Sequence, residues 1–349
     1  MEESNRIKQC TVAITHDCNL RCKFCYAQRA GYRKDDFISF DGLKRIVDFC
    51  CDAGIQYIVF TGGEPLLYPN LLDIVKYIRS REHKMSIAIP TNGILLSDLE
   101  LCKTLIENGV EYFDISIKGK DSQDWINQTG RDESVRQQAA IRNLSSLSAD
   151  FTCSMVINMD NVDSFCDSVR LAFDNGAKQM SFTFVIDNSG EEIKGISYLE
   201  KNNPYNLIAR FIDQIDELNK ITTEWWIEYS FPLCLYTDEQ ISQLKGRLAS
   251  PCQVHKGNAI TFDTGMNLLP CDMFIGEIIG KFGSEFSTYD EFKSFTNNEK
   301  YKRIMKPMID LPSHDCESCQ YLERCYGGCP VLWNNYSYED IKLFRSRNC

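Results

Sequence analysis

Along the first two-thirds of the chain, short β-branched and aromatic runs alternate with stretches whose apolar residues recur every three or four positions. The runs predict strands over residues 10–15, 57–61, 85–90, 112–117, 152–158 and 180–186. Between them, a spacing such as that of Leu43, Ile46, Val47 and Cys50 marks one apolar helix face. Ser39, Pro69 and Ser97 stand where helices should begin, and Gly54, Gly109 and Gly176 where they should end before a strand. Six strand-then-helix units in succession imply an α/β fold with a parallel sheet and right-handed crossovers. Six is short of the eight of a closed barrel, so the expectation is a partial, open (β/α)6 barrel. A long helix over residues 204–220 should close it.

Past residue 222 the alternation stops, and aromatic residues and turns increase. Seven of the seventeen cysteines fall between Cys252 and Cys349. The division expected is therefore a barrel domain over 1–222 and a small cysteine-rich domain over 223–349, held by metal rather than by a large core.

Charge narrows the partners. The net charge of −11 argues against nucleic acid or an anionic membrane surface, both of which attract a basic face. No apolar run approaches the roughly 20 residues of a bilayer span, and residues 1–9 lack an apolar signal core. A cytoplasmic protein with no membrane partner is the expectation. In a reducing compartment, clustered thiols bind metal more readily than they form disulfides, and soft thiolates select zinc or iron–sulfur clusters.

Cys18, Cys22 and Cys25, spaced Cys-x3-Cys-x2-Cys, follow the first strand. Three thiolates on one loop can hold three irons of a cubane and leave the fourth open to a chelating amino acid; three ligands of a zinc site is the competing reading. The spacing, with Phe24 before the last cysteine, resembles the signature of the radical SAM (S-adenosylmethionine) superfamily. That resemblance implies a SAM-binding [4Fe-4S] cluster on the triad and Phe24 beside the adenine. It also implies that Gly62, Gly63 and Glu64, at the end of the second strand, hold the methionine ammonium. Thr91, Asn92 and Ser116 become ribose or carboxylate contacts, and Arg131 a partner of the SAM carboxylate. All lie near carboxyl ends of strands, where such sheets place ligands.

The second set, Cys252, Cys271, Cys316, Cys319, Cys325, Cys329 and Cys349, resembles the SPASM extension of radical SAM enzymes, which carries auxiliary [4Fe-4S] clusters. Carried over, Cys316, Cys319, Cys325 and Cys349 would hold an outer cluster, and Cys252, Cys271 and Cys329 an inner one. The inner set is one ligand short, which leaves an open iron or a fourth bond from Cys234, His255 or Asp272. A zinc ribbon is the competing reading.

The resemblance points to a peptide or protein substrate that is modified oxidatively, by cross-linking or by oxidation of one residue, through a 5′-deoxyadenosyl radical. Asp272 would accept a proton during that oxidation. The alternative is an epimerase or dehydrogenase acting on a sugar, aminocyclitol or other small molecule, in which Cys153 or Cys234 would donate a hydrogen atom. An electron donor such as flavodoxin or ferredoxin is implied. With the first strand starting by about Cys10 there is no room ahead of it for a leader-binding domain, so leader recognition would need a separate protein or none.

Overall fold

The computed structural model describes residues 7–27, 31, 33–186, 193–229, 231–244, 246–248 and 252–348. In its first part β1 (Gln9–Thr15), α1 (Phe40–Ala53), β2 (Tyr57–Gly62), α2 (Leu71–Arg79), β3 (Ser86–Thr91) and α3 (Leu99–Glu107) alternate. They are followed by β4 (Tyr112–Ile117), α4 (Ser122–Thr129), α5 (Ser134–Ser146), β5 (Phe151–Ile157), α6 (Phe165–Asp174) and β6 (Met180–Phe184). Local chemistry sets the helix ends. The Ser39 hydroxyl accepts from Gly42 N at the start of α1, and Gly54 closes it in the left-handed conformation.

Strands β1 to β6 run parallel in sequence order, as expected for right-handed crossovers. The helix expected over 204–220 is two, α8 (Pro204–Asp213) and α9 (Ile215–Ile221), preceded by α7 (Ile196–Asn202). Sequence reading missed β7 (Trp225–Tyr229), which lies past residue 222 and pairs parallel with β6. After α10 (Asp238–Gln243), β8 (Ala259–Phe262) pairs parallel with the opposite edge, at β1. The antiparallel β9 (Asn267–Leu269) and β10 (Gly280–Lys281) then complete a ten-stranded sheet ordered β10-β9-β8-β1-β2-β3-β4-β5-β6-β7. The cysteine-rich part thus grows from both edges of the barrel sheet.

The remaining helices, α11 (Tyr289–Phe295), α12 (Glu299–Ile309), α13 (Leu322–Cys325) and α14 (Tyr338–Asn348), follow in the cysteine-rich part of the sequence. An aromatic knot fastens this part to the barrel. Phe49 of α1 meets Phe262, Phe282, Phe286, Tyr289 and Phe292 at ring separations of 5.5 to 6.4 Å. Such pairs add about 0.5–1.5 kcal/mol each beyond the area they bury. Among the described residues no helix is long and apolar enough to cross a membrane.

Candidate active site

The loop carrying Cys18, Cys22 and Cys25 leaves the carboxyl end of β1 and is held on three sides. Leu20 and Cys22 bury against Ile94 and Trp125, with Cys18, Phe24 and Cys25 packed on that small cluster. Backbone bonds from Arg21 N to Thr129 O (3.3 Å) and Lys23 N to Gln128 O (2.9 Å) pin the loop to the end of α4. Gly63 N and Glu64 N bond back to Thr15 O and Asp17 O, both at 2.8 Å. A Cβ on Gly62 would lie 2.1 Å from Thr15 O, and one on Gly63 2.0 Å from Asp17 O. The glycine pair therefore lets the end of β2 press against the cysteine loop itself, which sequence reading had taken as room for a ligand.

Glu64 is 1% exposed and accepts three hydrogen bonds from the protein. Thr91 Oγ1 (2.6 Å) and Leu66 N (3.1 Å) bond to its Oε1, and Asn92 N (2.9 Å) to its Oε2. Burial pushes its carboxyl up, while these bonds and nearby Lys118 oppose the shift. Its geometry is that of a brace between the ends of β2 and β3. Asn92 extends the brace, its Nδ2 donating to Asn19 Oδ1 at 2.7 Å beside Cys18. Gln137 of α5 spans β3 and β4, donating to Asn92 O (2.8 Å) and Ser116 O (2.9 Å). Arg131 is about half exposed, pairs with Glu133 and reaches Asn19 O at 3.3 Å.

Lys118, just beyond β4, is 7% exposed. Its ammonium bonds to Ser116 Oγ at 2.5 Å and lies 5.3 Å from the Phe24 ring centroid. It also acts on Cys22, where it opposes the upward push of burial on the thiol. Burial drives the Cys18 thiol up to about 12, and neighbouring Cys22 and Cys25 add to the effect. Leu20 N donates to Cys18 Sγ at 3.4 Å, the kind of contact that stabilises a thiolate ligand. Three neighbouring thiols on a braced loop, one with a backbone donor and one with a buried cation, fit a cluster-binding site. Among the described residues no three Cys, His, Asp or Glu converge on a point suited to one metal ion. A cubane differs in demand, since it spreads its thiolates over separate irons.

The C-terminal cysteines form two groups. Cys252, Cys271 and Cys329 neighbour one another, as do Cys316, Cys319 and Cys325. Backbone N–H groups aim at three of these sulfurs: Val254 at Cys252 (3.4 Å), Tyr321 at Cys319 (3.4 Å) and Leu233 at Cys325 (3.2 Å). Cys234 sits by Cys325 and Cys316, with the second group rather than the first. Cys349 lies outside the described residues. Asp272 is partly buried next to Cys271 and hydrogen-bonds to Tyr26, whose hydroxyl is also 3.3 Å from Thr61 Oγ1. Tyr26 thereby ties the first cysteine loop to the second cysteine region. His255 is half-buried and its Nδ1 has no partner, while His16 is occupied by Asp36 and Thr264.

Cys153 does not fit the hydrogen-donor role that the small-molecule alternative would give it. It pairs with Ile115 and Met180, shares their face of the sheet and is 0% exposed. Strand alternation turns that face toward the helices. Sequence reading also missed Tyr26, Lys118 and Gln137. Only Lys118 left a signal, as a cation two residues past Ser116 on the same strand face.

Residues 12–172 match the model of the Radical SAM superfamily. The GTP 3′,8-cyclase of Clostridium perfringens (strain SM101 / Type A) is 29% identical over 194 residues, 54% of this chain and 59% of that protein. The match thus spans little more than half of that relative's length. SuiB of Streptococcus suis, solved bound to precursor peptide SuiA, aligns with a TM-score of 0.69 at 16% identity, covering 97% of this chain and 76% of that one. The structure of anSMEcpe with bound AdoMet and Kp18Cys peptide aligns with a TM-score of 0.67 at 16% identity, covering 97% of each. At such identity the likeness is one of fold, and it extends through the C-terminal cysteines. The stretch that matches this model, residues 12–172, is the one that holds the cysteine triad, the glycine pair and the braced strand ends, and it is thus similar to the radical SAM superfamily.

Proposed function

We propose that the protein modifies a peptide or protein oxidatively, with a SAM-binding cluster on Cys18, Cys22 and Cys25 and auxiliary clusters on the C-terminal cysteines. Bound there, SAM and its cluster would supply a carbon radical able to remove a hydrogen atom from an unactivated C–H bond. The observation that carries the reading is the Tyr26–Asp272 bond, which joins the first cysteine loop to the inner group of Cys252, Cys271 and Cys329. Gly62 and Gly63 set the loop, Glu64 and Gln137 brace the strand ends, and Lys118 and Arg131 offer positive charge beside them. Asp272 would take up the proton lost from substrate, and the inner group, with three cysteines, leaves a ligand position open. SuiB and anSMEcpe, solved with peptides, support a peptide over other substrates.

A small-molecule substrate is the second reading, favoured by the likeness to GTP 3′,8-cyclase. The two separate on 5′-deoxyadenosine release by anaerobically reconstituted, reduced protein given SAM and cell extract divided by size. Stimulation by the peptide and protein fraction is expected. Stimulation confined to the small-molecule fraction would overturn the peptide reading.

A further inference from the structure

The concave face of the sheet is polar, where a closed barrel would be filled with branched apolar side chains. On β4, Ile115 faces the helices and meets Ala140 of α5 beside Gly93. Strand alternation then turns Asp114 and Ser116 inward, toward the side on which Lys118 reaches Phe24. On β6, Phe182 packs outward on Phe165 of α6 and Phe211 of α8, which leaves Ser181 and Thr183 inward. On β7, Trp225 joins that outer aromatic group, so Trp226 and Glu228 face in. Along β3 and β4 the inward positions keep partial exposure while the outward ones are buried, so the concave side is not packed shut.

Two carboxylates meet in this hollow. Asp114 is partly exposed and accepts a hydrogen bond from Ser154, yet its buried Oδ1 has no partner among the described residues. Glu228 adds like charge close by and accepts hydrogen bonds from Ser181 and from Trp226. Lys118 is the cation at hand, but it is bound to Ser116 and also serves Glu64. The Asp114 Oδ1 stays unmet, and an unmet buried acceptor costs about 1–3 kcal/mol, more when charged. We propose that Asp114 and Glu228 receive a cationic group of the substrate, an alkylammonium or a guanidinium. This rests on the reading above, in which a cluster on Cys18, Cys22 and Cys25 starts radical chemistry on a substrate, and it places that substrate on the concave face. The arriving cation supplies the missing donors and offsets the repulsion between the carboxylates, which an uncharged group of the same length cannot do.

The test is calorimetric titration of cluster-loaded protein, in the presence of SAM, with three probes. These are the Nα-acetyl methylamides of lysine, of arginine and of norleucine, the last an uncharged analogue of lysine. At least one cationic probe should bind about tenfold or more tightly than norleucine, as a charged hydrogen bond of 1.5–3 kcal/mol requires. That preference should vanish in Asp114→Asn and in Glu228→Gln, each checked by its melting curve as folded. Equal binding of all three probes to the parent, or an unchanged preference in both folded variants, would overturn the assignment. Release of 5′-deoxyadenosine by the parent without these probes reports separately on the radical SAM reading. Its presence together with equal probe binding would sink the cation site alone.

Discussion

At the residue scale, the glycine pair and Asp114 illustrate two kinds of constraint. Gly62 has a φ of +132°, and side chains on Gly62 or Gly63 would run into Thr15 O or Asp17 O. Gly63→Ala should therefore displace the cysteine loop and cost about 1–3 kcal/mol of stability, the usual range for strain at such sites. Iron bound after reconstitution should fall with it, and a variant with full iron and an unchanged urea midpoint would contradict the packing described. Asp114 predicts a pH effect. Burial first, then Glu228, holds its carboxyl at about 7 in the folded protein against an ordinary 3.8, with Lys118 and Ser154 opposing. Tyr112 shares its strand face, and the charge of Asp114 is also felt by Cys153, which points the other way on the next strand. Between those values the folded protein keeps a proton that the unfolded chain has lost, so stability falls as pH rises through this window. Asp114→Asn should abolish that fall and exceed the parent by about 2–4 kcal/mol above pH 7. Parallel stability profiles for the two proteins would refute it. The cysteine triad was legible in the sequence because its chemistry is carried by local spacing. Tyr26 and Lys118 were not, because each matters through a partner distant in sequence or through the direction in which a strand faces.

At the scale of elements, alternation and helix periodicity were enough to place six parallel strands and most of their helices. What they left open was phase. Residues 152–158 read as a strand, but only its register with Ile115 and Met180 shows Cys153 turned outward and Ser154 inward. Strand β7 was legible in principle, since Trp225 and Ile227 alternate with Trp226 and Glu228, yet it lies past residue 222, where the strand–helix alternation was taken to stop. No local pattern announces that β8 pairs with β1, because that pairing joins residues about 250 positions apart. Gln137 belongs to this scale, since it fastens two strand ends from a helix. Gln137→Leu would leave Asn92 O and Ser116 O short of a donor and should cost about 1–3 kcal/mol. Denaturant titration measures this, and a loss under a few tenths of a kcal/mol would show that the brace is not needed.

At the scale of the molecule, the barrel and the cysteine-rich part share a sheet, the Phe49 knot and the Tyr26–Asp272 bond. The thiols of Cys18, Cys22, Cys252, Cys271 and Cys329 are all pushed up, mainly by burial. They are protonated at neutral pH until metal displaces the protons, so cluster affinity should rise with pH, about tenfold per unit for each proton released. Iron retained against a chelator at pH 6.5 and 8.5 measures this, and equal retention would contradict it. Resemblance to the SPASM extension implied two further ligand groups, and, with Cys349 outside the described residues, the other thiols neighbour one another as Cys252, Cys271, Cys329 and as Cys316, Cys319, Cys325. The nearness of Cys234 to the second group came from the fold, not from spacing.

The most direct measurement is 5′-deoxyadenosine formed from SAM by the anaerobically reconstituted, reduced protein, beside a variant with Cys18, Cys22 and Cys25 all changed to alanine. The account predicts steady formation by the parent, none by the variant, and about four fewer irons in the variant, the content of one [4Fe-4S] cluster. No product from the iron-loaded parent, or equal iron in both proteins, would contradict the assignment of the triad.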